Sequence, residues 1–318
     1  MMFFCKKGSF SKYFLFVVLI FTIASVSFTS GCIPFFSKGK KDHARELAED
    51  ALMKKVWIAS FKNMAPFMKG KLEATFHQNF METIISSSPG IIIVKPGDTA
   101  FSDSSVVIPR LPSGEIDNYV LSIIGRKFGI NSVVTGTLKG IEGDSKKKGV
   151  WGFRKMHRFA KLKIHVNAYD TETGAMMYEE TFEHVFDVNE SEYNIINSNG
   201  VINMPELDTV VAKVSGIAGE KLSEAINKQP WKGFASSVTD ERVIITSGKE
   251  VGLKPGDTFD VYDSNKEIKG IGNLKYFIPG VKTGQIKLVS VFSNMSEAVP
   301  VSGTVIETGY SIKQPVED

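Results

Sequence analysis

Hydrophobic residues recur along this chain with two periods, and the switch between them marks its organisation. Residues 56–61 form a compact apolar run, broken by Asn63 to Pro66, which predicts a first strand. Met68, Leu72, Phe76, Phe80 and Ile84 then fall every four residues, with Lys71, Glu73, Gln78 and Glu82 turned elsewhere. That spacing predicts one core-facing stripe of a helix. Past Ser86-Ser87-Ser88-Pro89-Gly90, residues 91–95 read as a buried strand, followed by a polar loop ending near Pro112. Ile116, Val120, Ile124 and Phe128 repeat the helical spacing, and Gly129 is placed to cap that helix before a strand over residues 132–138. Strands joined by crossover helices predict parallel pairing. The period then becomes two: Ala160, Leu162, Ile164, Val166 and Ala168 alternate with Lys161, Lys163, His165 and Asn167, the pattern of a strand with one buried and one wetted face. The turn Asp170-Thr171-Glu172-Thr173-Gly174 returns the chain over residues 175–186 as a hairpin partner. A last helix carries Leu207, Val210, Val211, Val214, Ile217, Leu222 and Ile226, and Pro230 closes the domain.

Beyond Pro230 the helical period disappears. Short β-rich runs over residues 234–238, 243–246, 258–262, 284–291 and 304–308 are separated by turn signals such as Pro255-Gly256-Asp257 and Asp263-Ser264-Asn265. The expected fold class is therefore α+β / α/β, a mixed sheet with packed helices over residues 51–229, followed over residues 230–318 by a small all-β barrel or sandwich. Lys95-Pro96-Gly97-Asp98-Thr99 recurs as Lys254-Pro255-Gly256-Asp257-Thr258, and the coincidence reads as one turn chemistry used twice, not as a repeat.

The first 31 residues follow another logic. Lys6, Lys7 and Lys12 precede an apolar run over residues 13–28, and the small polar Thr29, Ser30 and Gly31 stand before Cys32. This is the layout of an export signal, its basic end held at the cytoplasmic face. A retained anchor is the rival reading, because no charge occurs between Tyr13 and Ser37, long enough to cross roughly 30 Å of hydrocarbon. Simple secretory cleavage is a third. Thr29-Ser30-Gly31-Cys32 resembles the lipobox of bacterial lipoproteins, with Thr29 where a leucine is usual. The resemblance implies cleavage after Gly31, a covalent lipid on Cys32 and a membrane anchor of three acyl chains, above the two-signal threshold for stable attachment. Ile33, where many inner-membrane lipoproteins carry Asp, implies the periplasmic face of the outer membrane. Residues 35–41 then read as a tether, and Asp42 as the N-cap of a helix through Lys55, so that residues 32–50 hold the lipidated tether and the start of that helix.

Three segments carry a second resemblance. Lys55-Val56-Trp57-Ile58-Ala59-Ser60-Phe61, residues 128–137 from Phe128-Gly129-Ile130-Asn131 onward, and Val166-Asn167-Ala168-Tyr169 running into the 170–174 turn are similar to the α/β domain shared by the curli secretion lipoprotein CsgG, the penicillin-binding-protein activator LpoB, the amino-terminal part of TolB and the middle of the flagellar protein FlgT. Val243-Ile244-Ile245-Thr246-Ser247-Gly248, residues 252–262 and residues 284–289 resemble the carboxy-terminal domain of FlgT. These signatures are structural, and what they imply is envelope assembly without catalysis, a flagellar-ring-like role among its forms, with envelope proteins or further copies of the chain as partners. A curli-type secretion component and an activator of peptidoglycan synthesis are the alternatives. A hydrolase is the fourth.

Charge and composition narrow the classes further. Of 318 residues 42% are apolar and 23% charged, enough to build cores for two domains. The 38 Lys and Arg exceed the 35 Asp and Glu by the three lysines of the leader, so a chain cleaved before Cys32 is neutral overall and lacks the surplus positive charge a nucleic-acid binder uses. Cys5 and Cys32 stand near the amino terminus, which excludes a disulfide framework or zinc knuckle. His43, His77, His157, His165 and His184 lack metal-ligand spacing, Gly270-Ile271-Gly272 lacks the third glycine of a dinucleotide loop, and Glu179-Glu180 and Glu190 with Glu192 read as surface acids. No cofactor and no metal is expected, and no catalysis. One surface feature stands out: Lys146, Lys147, Lys148, Arg154, Lys155, His157 and Arg158 interleaved with Trp151 and Phe153. In CsgG the corresponding insertion is a membrane-spanning hairpin. So many charges at a bilayer midplane would cost roughly 2 to 4 kcal/mol each, so the stretch is expected as a mobile loop that meets an acidic partner or phosphate head groups, a solvated loop without a partner being the plainer alternative.

Overall fold

A computed structural model describes residues 51–64, 71–99, 101–150, 152–198, 200, 204, 206–239, 241–301 and 305–315. Strands β1 (Lys54–Ile58), β2 (Lys62–Asn63), β3 (Ile91–Val94), β4 (Ser132–Lys148), β5 (Lys155–Asp170) and β6 (Met176–Asp187) form one sheet in the order β3-β1-β4-β5-β6, with β2 continuing β1 alongside β4. β1 pairs in parallel with β3 and β4, while β4, β5 and β6 run antiparallel, so the sheet is mixed as the pattern of crossovers and hairpin predicts. Helices α1 (Lys71–Ser87) and α4 (Glu206–Asn227) lie together on one face. Their stripes meet the alternate residues of β5: Phe76, Phe80, Ile84, Leu162, Ile164, Val166, Val211, Leu222 and Ile226 all have no exposed surface. Burying such side chains contributes about 1.5 to 3 kcal/mol each. Ile217, placed in the expected stripe, is instead 42% exposed.

Helix α2 (Asn118–Phe128) covers the other face at one end only. Asp117 caps it by accepting the Val120 N–H, and Gly129 ends it at φ 65°. Ile116, Ile124 and Phe128 of the expected stripe are half-buried against the core of that face, and Val120 departs from it. Val120 is 37% exposed, and the most deeply buried positions are Asn118, Leu121, Ser122, Gly125 and Arg126. Leu121 enters that core, while Asn118, Ser122, Gly125 and Arg126 meet the 170–174 turn and the second domain. Helix α3 (Glu190–Asn197) was not foreseen. Asn189 and Glu192 close a reciprocal capping box around its first turn, the signal that marks it in the sequence. The helix expected from Asp42 through Lys55 lies mostly outside the described residues, and Lys54 and Lys55 belong to β1.

The second domain is a closed six-stranded barrel, β12-β13-β8-β7-β14-β9, made of β7 (Gly233–Val238), β8 (Val243–Ile245), β9 (Thr258–Asp263), β12 (Val281–Val291), β13 (Ser296–Pro300) and β14 (Ser311–Lys313). A hairpin of β10 (Glu267–Lys269) and β11 (Lys275–Phe277) projects from it. Closure settles the choice between barrel and sandwich and leaves no open edge. The strand expected over residues 304–308 is not found among its described residues, 305–308; β14 follows instead at Ser311–Lys313. β13 and β14 are short and rich in serine and charge, so they carry little strand pattern in the sequence. Leu52, ahead of β1, packs into the barrel core beside Val251 and Leu253. The two Pro-Gly turns are the same device. Gly97 and Gly256 take φ 92° and 96°, and the Asp98 and Asp257 carboxylates accept the Lys95 and Lys254 N–H at 2.9 and 2.8 Å.

Candidate functional site: a basic hairpin tip

Strand pairing shapes the basic stretch singled out in the sequence. β4 and β5 stay paired from Ser132 opposite Asp170 to Lys148 opposite Lys155, whereas β6 stops at Asp187 opposite Phe159. Residues 145–148 and 155–158 therefore run past the third strand as a two-stranded ribbon, roughly 13 Å at the strand rise. The expected mobile loop is corrected accordingly: Lys146, Lys147, Lys148, Lys155, His157 and Arg158 are strand residues. Both faces of such a ribbon can be wetted, so it needs no apolar alternation to announce it. The described residues between the strands, 149, 150 and 152–154, hold a turn in which the Phe153 N–H donates to the Val150 carbonyl at 2.9 Å. Arg154 sits in that turn and is exposed. Trp151, Gly31 and Cys32 lie outside the described residues.

The root of the ribbon is braced and its tip is not. Arg158 binds Glu190 at 2.8 Å and lies over the Tyr193 ring of α3, and His157 reaches Asp187 at 3.0 Å. Farther out, Lys148 stands directly opposite Lys155, an arrangement that weakens a ribbon by like-charge repulsion. Among the described residues no carboxylate stands within ion-pair distance of Lys147, Lys148, Arg154 or Lys155. Val150 and Phe153 are 80% and 86% exposed beside them, and Met156 about half exposed. Cations ringed around apolar side chains match a surface that offers anions at its face and hydrocarbon beneath. The paired carboxylates considered in the sequence are not brought together: Glu180 takes Lys221 and Tyr178, Glu190 takes Arg158, and Glu192 caps α3.

A second charged cluster, which the sequence did not reveal, joins the sheet to the barrel. Lys232 binds Asp170 at 2.5 Å and Glu172 at 3.2 Å, and Glu172 also takes Lys313 and Ser311, both at 2.7 Å. Burial pushes the Glu172 carboxyl up, but Lys232, Lys313 and the hydrogen bonds outweigh it and hold the group below its usual range. Burial likewise depresses Lys232, and Asp170 and Glu172 more than restore it. Arg126 donates to the carbonyls of Glu172, Ser264 and Gly309 and stacks 3.7 Å from the Phe277 ring centre; burial brings it down to about 10. Lys54, held by the Ile226 and Asn227 carbonyls, is lowered by burial and then by Lys232 to about 8. Every one of these cations ends on a carboxylate or a carbonyl, and the cluster is structural.

No protein-family model matches the chain, and no curated protein matches it. Among solved structures it is similar to a hypothetical protein from Chlamydia trachomatis, at 13% identity over 55% of this chain and 94% of that one, with a TM-score of 0.30. A PelC dodecamer from Paraburkholderia phytofirmans matches at 12% identity over 54% and 89%, TM-score 0.29. A lipoprotein from Neisseria meningitidis matches at 9% identity over 46% and 93%, TM-score 0.26. The Neisseria neighbour is a bacterial lipoprotein, and all three similarities are too distant to carry function to this chain.

Proposed function

We propose that this chain is a non-enzymatic, lipid-anchored protein of the bacterial envelope, held by a lipid on Cys32 to the periplasmic face of the outer membrane, whose two-domain body is an interaction or assembly module. The observation that carries this reading is the position of Cys32: it follows an uncharged apolar run and three small residues, where a thiol is presented for lipidation and cleavage. Two features of the body support the second half. β6 ends the sheet with a twelve-residue edge, a place for a partner strand or a further copy to pair. The hairpin tip offers cations and apolar side chains to an acidic partner or to phosphate head groups. Labelling with a fatty-acid analogue tests the anchor: label is expected on the wild type and absent from Cys32→Ala, and equal labelling of both refutes it.

The pairing of the basic stretch as a hairpin also favours a second reading, a curli-type secretion component whose hairpins cross the membrane together. Lysines on both faces of the ribbon oppose it, each costing roughly 2 to 4 kcal/mol at the midplane. Ion conductance from the purified full chain in planar bilayers would favour this second reading over the first.

A further inference from the structure

The two edges of the mixed sheet are unequal. β3 is four residues long, as protected edges often are. β6 runs for twelve residues and pairs with β5 alone, so one side of its backbone meets no strand among the described residues. It contains none of the prolines or lysines that commonly close an edge, and its bulge lies at its start, before Tyr178. From Tyr178 to Asp187 its pairing with β5 is regular.

An exposed apolar residue lies alongside this edge. Lys221 of α4 binds Glu180 at 2.5 Å and sits over the Phe182 ring, and Lys213 stands near His184, whose pKa burial and then Lys213 lower. α4 therefore runs antiparallel to β6, and Ile217, one turn from each lysine, falls level with Phe182. It has the spacing of a core residue and yet is 42% exposed. On β6 itself Val185 is 48% exposed. The acids of the edge already have neighbours in their own subunit. Glu179 meets His165 at 3.3 Å, Glu180 meets Lys221, Asp187 meets His157 at 3.0 Å, and Glu183 lies near Lys163. Another strand can approach without facing a row of unanswered carboxylates.

The sequence of β6 is complementary to itself. Opposite residues of two antiparallel strands share a face, so two copies with their helices on one side pair about a residue and not between two. Centred on Phe182, that pairing sets Tyr178 opposite Phe186, Glu180 opposite His184 and Phe182 opposite Phe182 on the helix side. On the other side it sets Glu179 opposite Val185 and Thr181 opposite Glu183, so no two like charges meet. A shift of two residues brings Glu179 against Glu183 in one direction and Glu183 against Glu183 in the other. Larger shifts leave more of the strand unpaired. We propose that a second copy of this chain docks on β6 edge to edge, antiparallel and centred on Phe182, making a two-fold dimer with both Ile217 side chains beside its axis. Self-complementarity of this kind is what an isologous interface requires, and a foreign strand has no need of it. The proposal rests on the reading of the body as an interaction module and names the partner of its open edge.

The test uses the full chain in the membranes that carry it. Glu179→Cys and Val185→Cys replace exposed residues on the face away from the helices, roughly 20 Å apart along one strand, so the two thiols cannot join within a copy. Across the axis each meets the other. Oxidation of the double variant with copper phenanthroline is expected to give a disulfide-linked band at twice the mass of the chain, and neither single variant to give it. All three share Cys32, so the comparison reads the edge whatever that thiol carries, and a failed anchor is told apart from a failed edge. In detergent the wild type is expected to sediment as a dimer. Ile217→Lys should weaken self-association about tenfold or more, and Ile123→Lys, 44% exposed on α2, should leave it unchanged. The proposal is overturned if the double variant links no more than the single ones, if the linked band has another mass, if the wild type sediments as a monomer, or if Ile217→Lys associates as tightly as the wild type.

Discussion

The junction between sheet and barrel and the tip of the β4–β5 hairpin are both crowded with cations, and they use them in opposite ways. At the junction Lys54, Arg126 and Lys232 are at most 9% exposed, and each is answered by carboxylates or carbonyls, those of Arg126 and Lys232 coming from across the junction. At the tip Lys147, Lys148, Arg154 and Lys155 stand in water with no carboxylate in reach among the described residues. Buried charge is costly unless paired, so each junction residue is held by the fold and the fold by it. Charge on a projecting ribbon contributes little to folding and remains free for something outside the molecule.

The sharpest way to break this contrast is Lys232→Met, which removes the cation from Asp170 and leaves Glu172 with Lys313 alone. A loss of about 3 to 5 kcal/mol is expected in urea denaturation. A loss under about 1 kcal/mol would mean that the junction holds its charges no better than the tip does. Next in size is Gly129→Ala. At φ 65° with an added Cβ 2.1 Å from the Thr246 carbonyl, the substitution strains α2 against the barrel and is expected to cost about 1 to 3 kcal/mol by the same measurement. Acid then reaches the junction through Glu172. Its folded carboxyl titrates below the ordinary 4.5, so the unfolded chain takes up the proton first. The stability it contributes is present above pH 4.5 and drains away as pH falls through the folded value, and Glu172→Gln should flatten the pH dependence of the denaturation midpoint in that window. The smallest effect on folding is expected at the tip. Reversing Lys147, Lys148 and Lys155 together to Glu should change stability by no more than about 0.5 kcal/mol. The same variant should lose about tenfold or more in binding to vesicles containing phosphatidylglycerol, measured by co-sedimentation, at about 1 kcal/mol per cation.

How much of this was legible follows from where each element finds its partner. The helices α1 and α4 and the strand β5 bury one face against a single layer, so their periods state their roles outright, and Phe76, Val166 and Leu222 are core as expected. α2 touches the sheet, the 170–174 turn and the barrel together, and a helix with three neighbours needs no single apolar stripe; hence Val120 points outward while Arg126 is buried. The ribbon was hidden because two wetted faces erase the period of two, leaving only pairing to define it. The basic residues themselves were visible as a cluster, though not that Arg158 braces α3 while Lys148 and Lys155 face each other.

The proposed anchor would set where these surfaces operate, and it rests on one atom. Mass spectrometry of the amino-terminal peptide of the protein purified from membranes tests it most directly. If Cys32 carries the lipid, the peptide begins at that residue and bears a diacylglycerol on its Sγ with an acyl group on its amine. A peptide that starts elsewhere, or starts at Cys32 with a free thiol, contradicts the assignment of this protein as a lipid-anchored module.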